Sequence, residues 1–316
     1  MLYRTGRKKA SHMHHVNHFS HGLIIPILAY LISVIGSLLG LLFTVHARNA
    51  HGQARVHWLL GAALSIGGTG IWGMHFTGLM GFSVTGTEIR FNVPLTVFSA
   101  VVAISVVGTG ALIVSRGDDR LDRLLIGGLL TGCGVAGMHY LGIAAMNMAV
   151  GLSFNLFLVA LSIIIAIVAS TVALWFTLRV NGLLPTVGAA LVMGVAVTGM
   201  HYTGMASLSV SGATEVPLPG GAQPIDVLVP LLVGISLTTM GLLMVVMLSP
   251  SEAEMRSEAE MLARIEERRA RLVDLPDPLS PNGQPNGHRA AHGRYPHPPD
   301  DHASGVQPTL FDPRSR

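Results

Sequence analysis

The chain has 316 residues, half of them hydrophobic and only 12% charged, with a mean hydropathy of +0.55. Soluble globular domains carry about 25% charged residues, so this composition excludes a chain built to present a solvated surface on all sides. The formal net charge of +3 comes mostly from arginines between apolar runs, a distribution that membrane orientation demands and that points to no nucleic-acid partner.

Residues 1–17 form a leader rich in histidine and basic residues and are expected to be disordered. His12, His14, His15, His18 and His21 offer imidazoles for capturing metal ions, although a plain polar tail has the same composition. His21, beside the first apolar run, is the best placed of them as an additional ligand. Met13 is an alternative start to Met1. Seven apolar runs then follow at 22–46, 58–82, 94–115, 124–149, 154–178, 183–208 and 227–249, and none contains Asp, Glu, Lys or Arg. Each meets the roughly 20 residues that a bilayer core requires of a helix. The expected fold is an all-α membrane protein of seven transmembrane helices, with its membrane domain over 18–249. The first run exceeds a signal-peptide core and has no small-residue cleavage site, so it is read as a retained helix. Cys133, the single cysteine, falls inside the fourth run and excludes an intrachain disulfide.

Alternate connecting segments hold Arg48, Arg55, Arg116, Arg120, Arg123 and Arg179, while the opposite set holds only Arg90. The positive-inside rule then places the N-terminus outside and the C-terminus in the cytoplasm, against the pull of Arg4, Arg7, Lys8 and Lys9 in the leader. After the last run the composition changes. Residues 250–273 are charged and rich in helix formers, which predicts a cytoplasmic juxtamembrane helix. Residues 274–316 are rich in Pro, Gly, Asn, Asp and His and are expected to be disordered.

A short motif repeats along the runs. Gly73-Met74-His75-Phe76, Gly137-Met138-His139-Tyr140 and Gly199-Met200-His201-Tyr202 lie 64 and 62 residues apart. That period is one pair of helices with its connections, so the motifs fall on the second, fourth and sixth runs and a two-helix unit is repeated. Their histidines lie seven, ten and seven residues from the ends of the runs, which predicts a common depth about 10–15 Å beneath the outer boundary. The chain resembles the bacterial MHYT-domain proteins. Met200-His201-Tyr202-Thr203-Gly204-Met205 carries the full pattern, whereas the first two copies have Leu79 and Ile143 where the third has Met205. The resemblance covers residues 18–249. It implies a multi-pass sensory module of the bacterial plasma membrane that binds copper and, through it, oxygen, carbon monoxide or nitric oxide. Many members of that family continue into an effector domain; none is recognised in this sequence, so the resemblance implies no output.

The residues themselves support a ligand site. Apart from His46 at the very end of the first run, Cys133 and the tyrosines, the motif histidines are the only ionisable side chains in the runs, and ionisable groups at membrane depth face the bundle interior and mark function. Imidazole with thioether suits copper, and methionine favours Cu(I). Neighbouring Met and His point about 100° apart on a helix, so one copy cannot chelate unaided, whereas residues four apart share a face. The expected site is therefore assembled across helices from Met74, His75, Met138, His139, Met200, His201 and Met205, with Cys133 as an additional ligand. Glycines at 73, 78, 137, 142, 199 and 204 are read as close-packing positions, and so is the Gly36–Gly40 pair.

No phosphate-binding loop, carboxylate pair or nucleophile beside a base is present, and the chain is not read as an enzyme. A sensor that docks a separate cytoplasmic signalling protein through 251–273 is the leading reading. A transporter or metal-uptake protein is the rival, since repeated helix pairs with midplane sites suit that class. A membrane scaffold with packing histidines is the third.

Overall fold

The computed structural model describes residues 16–17, 22–85, 87–116, 121–213, 220–249 and 252–273. It is dominated by helices: α1 (Ile24–Asn49), α2 (Gly52–Ala63), a π-helical segment (Leu64–Gly73), α3 (Met74–Leu79), α4 (Val93–Ser115), α5 (Leu121–Ala144), α6 (Leu156–Arg179), α7 (Leu183–Ala206), α8 (Pro224–Leu248) and α9 (Glu252–Val273). Six of them, α1, α4, α5, α6, α7 and α8, are long and apolar enough to cross a membrane among the described residues.

The second expected span is not a single α-helix. Residues 52–79 run as α2, the π segment and α3 in succession. Gly67, Gly68, Gly70 and Gly73 lie in the π segment, a helix type that is rare and occurs mostly as single turns within α-helices. A methyl group added at Gly36 of α1 would overlap the backbone of Gly70, and one at Gly67 would come within 2.8 Å of the Ala103 carbonyl oxygen on α4. The segment is thus pinned between α1 and α4 at backbone contact. The Gly36–Gly40 pair packs as expected, Gly36 against Gly70 and Gly40 against the Ile66 side chain.

Neighbours in sequence pack together from α1 through the π segment, α4, α5 and α6 to α7, and α7 returns to α1. These helical segments therefore close into a ring. α8 lies outside that ring against α1 and the π segment, and none of its described residues is buried. Asn92 and Asn155, 63 residues apart, cap α4 and α6: the Asn92 Oδ1 accepts from the Leu95 amide at 3.1 Å and the Asn155 Oδ1 from the Phe157 amide at 3.0 Å. The repeat therefore extends to helix starts that the motif does not include.

The two ends of the ring differ. At one end Arg48 donates to the carbonyls of Leu178 (2.9 Å) and Val180 (2.6 Å), and Arg55 donates to the Ser115 carbonyl. These arginines bind the last carbonyls of α6 and α4, groups that a helix leaves without internal partners. At the other end the connections form, among the described residues, three two-stranded antiparallel sheets, short additions to a fold that is otherwise helical as expected. Their strands are β1 (Val16–Asn17), β2 (Ser83–Val84), β3 (Arg90–Phe91), β4 (Met146–Asn147), β5 (Val150–Phe154) and β6 (Leu208–Ala213), paired β1–β2, β3–β4 and β5–β6. The last two pairs tie the segment after one motif to the segment after the next. Because α3, α5 and α7 end at Leu79, Ala144 and Ala206, the histidines lie four, five and five residues from their helix ends, or about 6–8 Å. The histidines thus stand at a common distance from their helix ends; beyond those ends Met80 and Phe82 lie in a turn and its flank, and Met146 and Leu208 in strands.

α9 belongs to a separate unit that begins at Pro250. It is a charged helix in which Arg271 pairs with Glu267 at 2.7 Å, one turn apart.

Candidate metal centre

His75 on α3, His139 on α5 and His201 on α7 are each no more than 1% exposed. Their rings meet inside the bundle. The His75 Nδ1 lies 3.0 Å from the His201 Nδ1 and 3.1 Å from the His139 Nδ1. One nitrogen from each of the three residues can be chosen so that all lie within 4.8 Å of one another.

One proton on the His75 Nδ1 can serve only one of its two Nδ1 neighbours, because a neutral imidazole has one N–H and one acceptor. A cation where the lone pairs meet would satisfy all of them. Tetrahedral ligation at 2.0–2.1 Å sets ligand nitrogens about 3.3 Å apart, within a few tenths of an ångström of the two Nδ1 separations from His75. The set carries no carboxylate and no formal negative charge. On this geometry the three residues fit a metal ion.

The outer ring nitrogens show how the rings are held. The His75 Nε2 lies against Gly142, the His139 Nε2 against Gly204 and the His201 Nε2 against Gly78, each so close that a β-carbon would overlap the ring. Each glycine stands three residues after its own copy's histidine. Every imidazole is thus seated in a notch on the next copy: first into second, second into third, third into first. The Nε2 atoms of His75 and His139 are buried without a hydrogen-bond partner. A metal-bound imidazole usually donates that N–H to an acceptor; here glycine shape takes over the orienting role. Sequence reasoning treated these glycines as general helix packing, and the readable signal was the shared His-x-x-Gly spacing.

Layers of equivalent residues enclose the rings. One turn toward the sheet end, four residues after each histidine, stand Leu79, Ile143 and Met205, in an apolar cluster with Phe76, Phe82, Phe91 and Leu208. One turn toward the arginine end, four residues before each histidine, stand Ile71, Val135 and Val197, in or against a second cluster that includes Met138 and Met200. Of the expected methionines, Met74, Met138, Met200 and Met205 are all buried. Met138 and Met200 lie in the arginine-side cluster and Met205 in the sheet-side cluster. Cys133 is exposed on α5 and stays outside the histidine group. His21 lies outside the described residues.

Other motif residues have structural partners. The Tyr140 hydroxyl and the Ser162 hydroxyl on α6 are 2.7 Å apart. Phe76 has no hydroxyl, and Trp72, one turn earlier, donates instead from Nε1 to Ser99 on α4 at 3.0 Å. Ser99 and Ser162 are 63 residues apart. Thr77 and Thr203 donate to the carbonyls of Gly73 (2.8 Å) and Gly199 (2.7 Å), four residues back on their own helices, a local bond rather than a ligand role.

Comparison with known proteins gives three successive matches to the MHYT repeat, described as a bacterial signalling protein N-terminal repeat, at residues 68–127, 132–190 and 194–256. The chain belongs to the MHYT family. This MHYT chain is 33% identical over 257 residues to the bifunctional diguanylate cyclase/cyclic di-GMP phosphodiesterase MucR of Pseudomonas aeruginosa, covering 78% of this chain and 36% of the relative. It is 34% identical over 197 residues to the signaling protein YkoW of Bacillus subtilis, covering 60% and 24%. The cyclic di-GMP phosphodiesterase NbdA of P. aeruginosa is 29% identical over 197 residues, covering 60% and 25%. The MHYT chain thus spans 24–36% of the length of these relatives. No solved structure matches it.

Proposed function

We propose that this MHYT chain is a sensory module of the bacterial plasma membrane whose His75, His139 and His201 hold copper as Cu(I). The observation that carries the reading is the convergence of three buried imidazoles on their Nδ1 atoms, each from a separate copy of the repeat. Charge selects the ion. Placing a charge in an apolar interior costs free energy that scales with its square, and no anionic group offsets it here. A monovalent ion is therefore favoured over Zn²⁺ or Cu²⁺, and imidazole with nearby thioether suits Cu(I). Met74, Met138, Met200 and Met205 are the candidates for a fourth ligand from the surrounding layers. An open position on such a centre would receive a diatomic gas.

In this reading residues 52–79 form the seventh span, the repeated unit is a helix pair, the sheet end faces outside and the arginine end faces the cytoplasm. A change at the centre alters the packing of the ring and reaches a separate signalling protein that docks on 251–273, by analogy with relatives named for cyclic di-GMP turnover. The apolar cluster at the sheet end opposes a transporter, which needs a route to both faces.

Metal analysis of detergent-purified protein tests the centre. Wild-type protein is expected to retain about one copper per chain under reducing conditions, and the triple variant His75→Ala/His139→Ala/His201→Ala none. Wild type without copper or another metal under both reducing and oxidising conditions would overturn the reading.

A further inference from the structure

The two sides of the buried centre differ. Toward the sheet end the layer of Leu79, Ile143 and Met205 is backed by Phe76, Phe91 and Leu208, all buried, and a cavity of about 360 Å³ on that side reaches Leu79 and Phe91 but neither Ile143 nor Met205. Toward the arginine end lies a chamber walled by Ile71, Val135, Val197 and Met200 next to the histidines and by small residues such as Ala166 farther on. The space open to the centre of a water-sized sphere is about 50 Å³, several times the ~10–15 Å³ that a single water needs. A second cavity of about 90 Å³ on the same measure adjoins it and reaches Arg48 and Arg55. Both cavities are lined by Thr44, Ala111 and Thr177, which form the neck between them.

We infer that this chamber and neck are the route by which a small uncharged molecule reaches the His75–His139–His201 centre, entering from the arginine end and not from the sheet end. Two features set its selectivity. The mouth is flanked by guanidinium groups, which lower the local concentration of cations and raise that of anions. The chamber beyond is almost wholly apolar, with the Thr131 and Ser170 hydroxyls among a lining of Ala, Val, Ile and Met, so a charged solute that passes the mouth meets a desolvation cost at the neck. An apolar cavity of this kind takes up small neutral molecules readily. Only the last step, arrival at a ligand-binding centre, rests on the function proposed above.

The test uses cysteine chemistry in proteoliposomes, with Cys133→Ser as background because Cys133 is exposed. Thr177→Cys reports the neck and Ala166→Cys the chamber; both exchanges are close in size. Anionic sulfonatoethyl methanethiosulfonate is expected to modify Thr177→Cys when added at the arginine end and not at the sheet end. Its rate should exceed that of the cationic trimethylammonium analogue by about tenfold or more. Neutral methyl methanethiosulfonate should modify Ala166→Cys, and prior capping of Thr177→Cys in the double variant should slow that reaction by about tenfold. Modification from the sheet end, no modification of Thr177→Cys from the arginine end, equal rates for the two ionic reagents, or an unchanged chamber rate after capping would each overturn the inference. The labelling needs no metal. A positive result with a copper-free wild type would overturn the metal centre and leave the route standing.

Discussion

The helical stretch 52–79 and its counterparts α5 and α7 present the same histidine from different backbones. α5 and α7 reach His139 and His201 as uninterrupted α-helices, whereas His75 follows ten residues of π-helix. The first copy is also the one that packs against α8, in addition to α1 and α4. Gly73 lies under the Ile235 side chain of α8, while nothing stands within 4 Å of a β-carbon built at Gly137 or Gly199. The three imidazoles nonetheless reach equivalent positions. Ring geometry is therefore set by what each ring packs against, and local helix shape is free to differ. The first copy's departures mark where the ring meets the helix outside it.

The largest expected effect tests the equivalence of the copies. Any one of His75→Ala, His139→Ala or His201→Ala should weaken Cu(I) binding by more than about 100-fold, since outer-shell partners alone are worth 10–100-fold. Competition with a Cu(I) chelator reads this, and one variant retaining wild-type affinity would break the equivalence. Next come the notches. Gly78→Ala, Gly142→Ala and Gly204→Ala should each displace one ring and cost about 10–100-fold in affinity, while Gly137→Ala and Gly199→Ala leave affinity unchanged. Equal losses from both sets of glycines would remove the notch from the account.

Smaller effects probe the scaffold. Gly36→Ala forces a methyl group against the Gly70 backbone and should destabilise the detergent-solubilised protein by about 1–3 kcal/mol. Gly188→Ala, with nothing within 4 Å, serves as its neutral control in the same unfolding measurement. Smallest is Tyr140→Phe, which removes the bond to Ser162 at about 0.6 kcal/mol. Phe76→Tyr should gain nothing, because Ser99 already accepts from Trp72.

Much of this was legible in the chain. Apolar runs without charge located the long helices, since burial in lipid permits little else. The 64- and 62-residue spacing placed three histidines at one depth, and their cost in a membrane argued that they face inward. Three things were not legible. The π segment packs at backbone contact with α1 and α4, which composition alone does not reveal. The connections use residues apolar enough to read as helix ends, Met80 and Phe82 around a turn and Met146 in β4, so the runs at 58–82 and 124–149 extend past Leu79 and Ala144. The glycine notches depend on which copy sits beside which. A His-x-x-Gly spacing shows that a gap exists on each helix but not whose ring fills it.

That seating order runs round a loop with no free end. Each of the three helices both inserts a ring and receives one, so none can tilt or slide without disturbing the other two. A small displacement at any one imidazole is therefore shared among three helices at once, as a single collective motion rather than three independent ones.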